Sequence, residues 1–385
     1  MADLATNPLT GGPAARVVAF YLPQFHPIPE NDLWWGKGFT EWTNVTKALP
    51  LFRGHVQPNL PGELGFYDLR VPEVREAQAE LASSYGIEAF CYWHYWFAGK
   101  RLLERPFREV LTSGRPDFPF CLAWANQTWS GIWHGSPERV LVEQTYPGPS
   151  DYEAHFEAVL PALRDPRYLT IEGAPVFVVF RAFELPDPKE FTDLWREAAR
   201  QAGLPGIHFV ALADDAAWVP SSHGFDSAIL QSFSTAAHGI RRSPVQKVTK
   251  RVSRVGLDLH ESYLVATGRP TVYDFTEIDT AGAFEGLREY HFPCVVPNWD
   301  NTPRSERRGF VLQGSTPSRF RAHLRDAVRY VDGRAPERRL VFLKSWNEWA
   351  EGNYLEPDRR FGRGWLEAVR GEIFRPLDDS PGRQG

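Results

Sequence analysis

Eight short apolar runs, most of them closing on polar and aromatic residues, recur along the chain and leave few folds open to it. They lie at residues 17–21, 88–92, 120–124, 176–180, 208–213, 227–230, 294–297 and 340–344. Strands of a half-exposed antiparallel sheet alternate apolar with polar, whereas near-continuous apolar runs belong to strands covered on both faces by helices. Helical spacing fits 71–84, 149–163, 189–201 and 318–330, with Pro72 and Pro317 suited to first turns and Gly86 and Gly203 to stops. The pattern predicts an α/β fold: a single (β/α)8 barrel, the TIM barrel, with long loops. That fold typically takes about 250 residues and tolerates long insertions, which suits a chain of 385. A doubly wound open sheet is the competitor, yet no glycine-rich phosphate loop follows the first run. The barrel is expected over residues 16–377, between loose tails at 1–15 and 378–385.

Charge and cysteine usage narrow the partners. Forty-three basic against 48 acidic residues give a net charge of -5, which supplies no basic field for nucleic acid. No window approaches 18 consecutive apolar residues, so no membrane segment is expected. Cys91, Cys121 and Cys294 show no CxxC spacing and sit in or beside apolar runs, which argues against a disulfide framework or a zinc site. The opening residues lack a signal-peptide pattern, and a cytoplasmic, reducing location is expected. No metal and no cofactor are called for. Two connections, 22–71 and 231–292, are too long for simple loops and are expected to form lids or binding walls. The second holds a basic stretch from Arg241 to Arg254, read as a solvated helix face.

In a barrel of this kind the site is built where strands end at the carboxyl face. The run ends supply Tyr21 and His26, then His94, then Asn126, Gln127 and Trp129. Later ones supply Arg181, Gln231, Trp299 with Asp300, and last Asn347, Trp349 and Tyr354 around two carboxylates. Those carboxylates, Glu348 and Glu351, stand three residues apart in SWNEWAEGNYLEPD, where an apolar wall would raise the pKa of one and a neighbouring donor would keep the other ionised. If that segment were a helical turn, both could address one bond. Trp42, Trp129 and Trp299 lie in loop-like context. Aromatic platforms with Asn, Asp, Arg and His donors suit sugar rings, which present apolar C–H faces and a rim of hydroxyls.

The segments YLPQFHPIPENDLWWGKGFTEWTNV, QPNLPGELGFYDLR, YGIEAFCYWHYWF, WANQTW, VVPNWDNTPR and SWNEWAEGNYLEPD resemble the WbsX-type proteins of bacterial O-antigen and surface polysaccharide clusters. That group is more distantly similar to glycoside hydrolase family 99, endo-α-mannosidases and endo-mannanases built as (β/α)8 barrels. The resemblance implies a retaining, endo-acting glycoside hydrolase acting through a 1,2-anhydro sugar, with Glu348 as base and Glu351 as acid. It also implies that Tyr21, His94, Asn126, Trp129, Arg181, Trp299, Asp300 and Asn347 position the glycan. The sequence departs from the group at Gln127 and His134, where acids are usual, and at Gln231 after the sixth run. A glycosyltransferase of polysaccharide assembly and a non-catalytic glycan-binding barrel are the competing readings; in each the partner is an oligosaccharide or polysaccharide.

Overall fold

The computed structural model of the protein describes residues 12–131, 136–231, 270–276, 284 and 286–374, the side chains at 136–139 and 231 excepted. Its centre is a closed barrel of eight parallel strands: β1 (Arg16–Tyr21), β2 (Ile87–Phe97), β3 (Phe120–Trp124), β4 (Ala174–Val179), β5 (His208–Ala213), β6 (Ser227–Gln231), β7 (His291–Val295) and β8 (Leu340–Leu343). Each strand pairs with the next in the chain, and β8 returns to β1 with Arg16 opposite Leu340 and Ala19 opposite Leu343. Every residue of β3, β5, β7 and β8 is buried, as strands enclosed by helices must be.

Among the described residues the helices are α1 (Pro29–Trp35), α2 (Glu41–Lys47), α3 (Pro72–Ser84), α4 (Arg105–Ser113), α5 (Pro149–Leu163), α6 (Pro188–Gln201), α7 (Thr302–Ser305), α8 (Pro317–Val331) and α9 (Gly364–Ile373). Local chemistry sets their ends. Asp187 caps α6 by accepting from the Lys189 and Glu190 amides, and Pro188 opens it without wasting a donor. Thr316 and Pro317 do the same for α8.

Three boundaries differ from expectation, each for a visible reason. Strand β2 runs on to Phe97 because Tyr95, Trp96 and Phe97 pair antiparallel with Leu102, Arg101 and Lys100, which carries an aromatic ribbon above the barrel rim. Strand β7 lies at 291–295, earlier than 294–297, because its polar first residue, His291, still pairs with Ala228 on β6. Ala14 and Ala15, counted with the tail, are buried, and the Ala14 amide donates to the Ile373 carbonyl at the barrel base.

Of the two long connections, 22–71 folds α1 and α2 over the mouth. Within the second, Thr271–Asp274 forms a parallel ribbon with Phe310–Gln313, and the basic stretch lies outside the described residues. Cys91, Cys121 and Cys294 are buried free thiols. Among the described residues no helix is long and apolar enough to cross a membrane.

Candidate active site

The segment after β8 folds as a tight hairpin. Asn347 and Glu348 pair antiparallel with Tyr354 and Asn353, and a single tight turn, Trp349–Glu351, joins them in place of the helical turn considered from the sequence. Gly352 closes the turn with φ +68 and its Cα against the Asp300 backbone, whose amide donates 2.7 Å to the Glu351 carbonyl. A Cβ at Gly352 would sit 2.8 Å from the Asp300 nitrogen in a conformation that side chains rarely adopt. Gly352→Ala is therefore expected to cost about 2–4 kcal/mol in chemical denaturation, from backbone strain and overpacking together.

Glu348 and Glu351 both line a cavity of about 380 Å³ at the barrel mouth. Its walls come from α1 and the residues around it (Gln24, Asn31, Trp35, Phe39), from Asn44 on α2, from Trp93 and Tyr95 on β2, from Gln127 and Trp129 after β3, from Phe180 after β4, and from Arg304 and Lys344. Trp129 stands edge-on to Tyr95 with centroids 5.0 Å apart. Three buried polar atoms of this wall, Asn31 Nδ2, Asn44 Oδ1 and Trp93 Nε1, have no hydrogen-bond partner among the described residues. Buried polar groups are normally satisfied, so a ligand hydroxyl or ordered water fits there.

The charges are arranged in a chain. Arg304, on α7, donates from Nη1 to Glu351 Oε1 and from Nη2 to Glu41 Oε1, each at 2.6 Å. Glu41 is fully buried and its Oε1 also accepts the Ala350 amide at 3.1 Å, so it anchors both the arginine and the turn bearing Glu351. Burial holds the Glu41 carboxyl above its usual range against the pull of Arg304. Glu348 accepts a 2.7 Å hydrogen bond from the Ser345 hydroxyl. Burial first, then the neighbouring Glu351 charge, push its pKa up to about 7. One carboxylate is thus held in an ion pair while its neighbour keeps a proton close to neutrality.

Of the expected catalytic and glycan-binding residues whose side chains are described, Glu348, Glu351, Gln127 and Trp129 line the cavity; the others lie behind it or elsewhere. Tyr21 donates to Gln78 Oε1 at 2.7 Å, on the outer side of the barrel. His26 Nδ1 meets the Pro23 carbonyl. His94 Nε2 meets His155 Nε2 at 2.9 Å, and burial lowers its pKa to about 3, so it is neutral. Asn126 ties the Arg181 backbone to the Tyr146 hydroxyl, and the Arg181 guanidinium stacks on Phe180. Asn347 bonds both backbone polar groups of Leu22. Trp42 donates to the Tyr67 carbonyl. Trp349 stacks on Tyr354 at 3.8 Å and donates to buried Glu356. Tyr354 donates to Asp358. Asp300 is occupied by His55, Gln57 and Thr302 and faces a separate, smaller cavity. Trp299 lies under Lys344. The Gln231 side chain and His134 lie outside the described residues. Arg304, Lys344, Glu41, Asn31 and Asn44 were not expected from the sequence, although TPR holds Arg304 and GFTEWTN holds Glu41 and Asn44.

A profile of the family described as "Glycosyltransferase WbsX" matches residues 17–369. Two proteins of Xanthomonas campestris pv. campestris, both described as uncharacterized protein WxcX, are 42% identical over 366 residues, covering 94% of this chain and 50% of theirs. The chain therefore spans about half the length of these curated relatives. Among solved structures, a glycoside hydrolase-like protein aligns with TM-score 0.56 and 15% identity over 94% of both chains. The GH99 endo-alpha-mannosidase from Bacteroides thetaiotaomicron aligns with TM-score 0.53 and 14% identity over 93% of this chain and 96% of that one. At such identity these likenesses speak for the barrel alone.

Proposed function

The chain belongs to the WbsX family, and from that membership and the geometry of the mouth we propose that it is a retaining, endo-acting glycoside hydrolase of bacterial surface polysaccharide. One observation carries the reading: Glu348 and Glu351 share a cavity that also holds orphaned hydrogen-bonding groups and aromatic faces. Two carboxylates in different surroundings, one in an ion pair with Arg304 and the other held by the Ser345 hydroxyl, are the equipment for cleaving a glycosidic bond.

The charge distribution favours the reverse of the roles implied by resemblance. Glu351, paired with Arg304, is the group suited to accept a proton, and Glu348 the group suited to give one. In the first step Glu351 takes the proton of a sugar 2-hydroxyl, and that oxygen attacks the anomeric carbon. The bond to the leaving oxygen breaks as Glu348 protonates it, giving a 1,2-anhydro sugar. In the second step water attacks the anomeric carbon and loses its proton to Glu348, while the bond from that carbon to the 2-oxygen breaks and Glu351 returns a proton to the 2-oxygen. Two inversions leave the configuration unchanged.

The description of the family favours a second reading, in which a sugar hydroxyl replaces water as acceptor. Incubation with a panel of bacterial polysaccharides, followed by NMR of the anomeric protons, tests both. Hydrolysis is expected to release new reducing ends in the configuration of the cleaved bond. Inverted product overturns the retaining path, and elongated product without reducing ends supports the transferase.

A further inference from the structure

Among the described residues, Lys344 is the cation in the cavity wall whose charge no hydrogen-bonded partner accounts for. It follows the last residue of β8, its amide donating to the Val295 carbonyl at 3.0 Å, so its position is fixed by the barrel. The residue is 6% exposed and lines the same cavity as the two glutamates. Its Nζ stands 4.5 Å from the centroid of the Trp299 ring, which holds the ammonium by a cation–π contact. Among the described residues no carboxylate ion-pairs with Nζ and no oxygen accepts a hydrogen bond from it. Arg304 differs: its two terminal nitrogens are committed to Glu41 and Glu351. Lys344 Nζ is not among the fully enclosed unpartnered atoms, so it keeps an open face on the cavity, where an anionic ligand would give the ammonium an acceptor in a shielded site. Lys344 acts on Glu348 through its field, yet forms no bond to it.

We infer that the glycan bound here carries a carboxylate, as a uronic acid does, and that this group docks on Lys344 against Trp299. The inference rests on the glycan-cleaving reading above and names its substrate class. A single ammonium suits a monoanion. A phosphate would call for more donors, such as a guanidinium fork or several backbone amides.

The test titrates the wild type and Lys344→Met with uronate-containing bacterial oligosaccharides, and with the same oligosaccharides after reduction of each carboxyl to a primary alcohol. The wild type is expected to bind the acidic form about ten- to a hundredfold more tightly, the worth of one charge-assisted hydrogen bond in a shielded site. That preference shrinks as salt rises and disappears in Lys344→Met. Lys344→Gln, which keeps a polar group and loses the charge, gives the same loss and guards against a packing defect. Equal affinity of the wild type for both forms, or a preference that survives in Lys344→Met, overturns the inference and leaves glycan cleavage standing. A lysine serving Glu348 alone would alter turnover of both forms equally and leave the affinity ratio at one. Failure of the wild type to bind either form overturns the glycan reading, and this one with it.

Discussion

Glu348→Gln is expected to lower kcat/KM for an unactivated glycan by about 10²–10⁴-fold, the usual contribution of a positioned proton donor, while sparing kcat/KM, which reports the first step, for an aryl glycoside whose leaving group needs no proton. Glu351→Gln is expected to depress both, because the 2-hydroxyl must lose its proton whatever leaves. The contrast between the two variants reads the roles directly: if Glu351→Gln is the one rescued by a good leaving group, acid and base stand as the family resemblance implies. In the wild type, kcat/KM is expected to fall as pH rises through about 7, where Glu348 loses its proton. The same group ties stability to pH. Its folded pKa of about 7 lies above the ordinary 4.5, so the stability it contributes is complete below 4.5 and is lost as pH rises through 7. Glu348→Gln carries no charge to bury, and above neutrality it is expected to be more stable than the wild type by on the order of 2 kcal/mol in denaturant titrations at pH 8.

The barrel was legible because its strands are buried on both faces. Near-continuous apolar runs such as Phe120–Trp124 and His208–Ala213 stand out without help from an alignment. The site was legible only in part, and strand geometry explains which part. Successive side chains of a strand point to opposite faces. On β2, Trp93 and Tyr95 face the cavity, whereas His94 between them points outward to His155 on α5. Tyr21 likewise points outward to Gln78 on α3, and the next residue, Leu22, lines the cavity. Composition at a strand end cannot separate these two faces, but period-two alternation counted from the carboxylates inward could have. Arg304 and Glu41 were invisible for another reason. They are 263 residues apart and meet only because α2 and α7 converge on the turn that bears Glu351.

Arg304→Met is expected to cost about 3–5 kcal/mol of folding stability, the scale for removing one partner of a buried ion pair. Glu41 is fully buried, and without Arg304 its remaining support is the Ala350 amide. Already held above the ordinary range by burial, its carboxyl would take up a proton rather than stay charged. Glu351 would lose the same partner, and with it the hydrogen bond that fixes its carboxylate in the cavity wall. Arg304→Met alone therefore confounds stability with chemistry, and a double variant separates them. Glu41→Gln combined with Arg304→Met removes the stranded buried acid together with its partner, so most of the lost stability is expected to return in denaturant titrations. Turnover is not expected to return, because Glu351 still lacks Arg304. Recovery of both would mean that the chain from Glu41 through Arg304 to Glu351 holds the hairpin in place and nothing more. Recovery of stability alone makes Arg304 the residue that holds Glu351 aimed into the cavity.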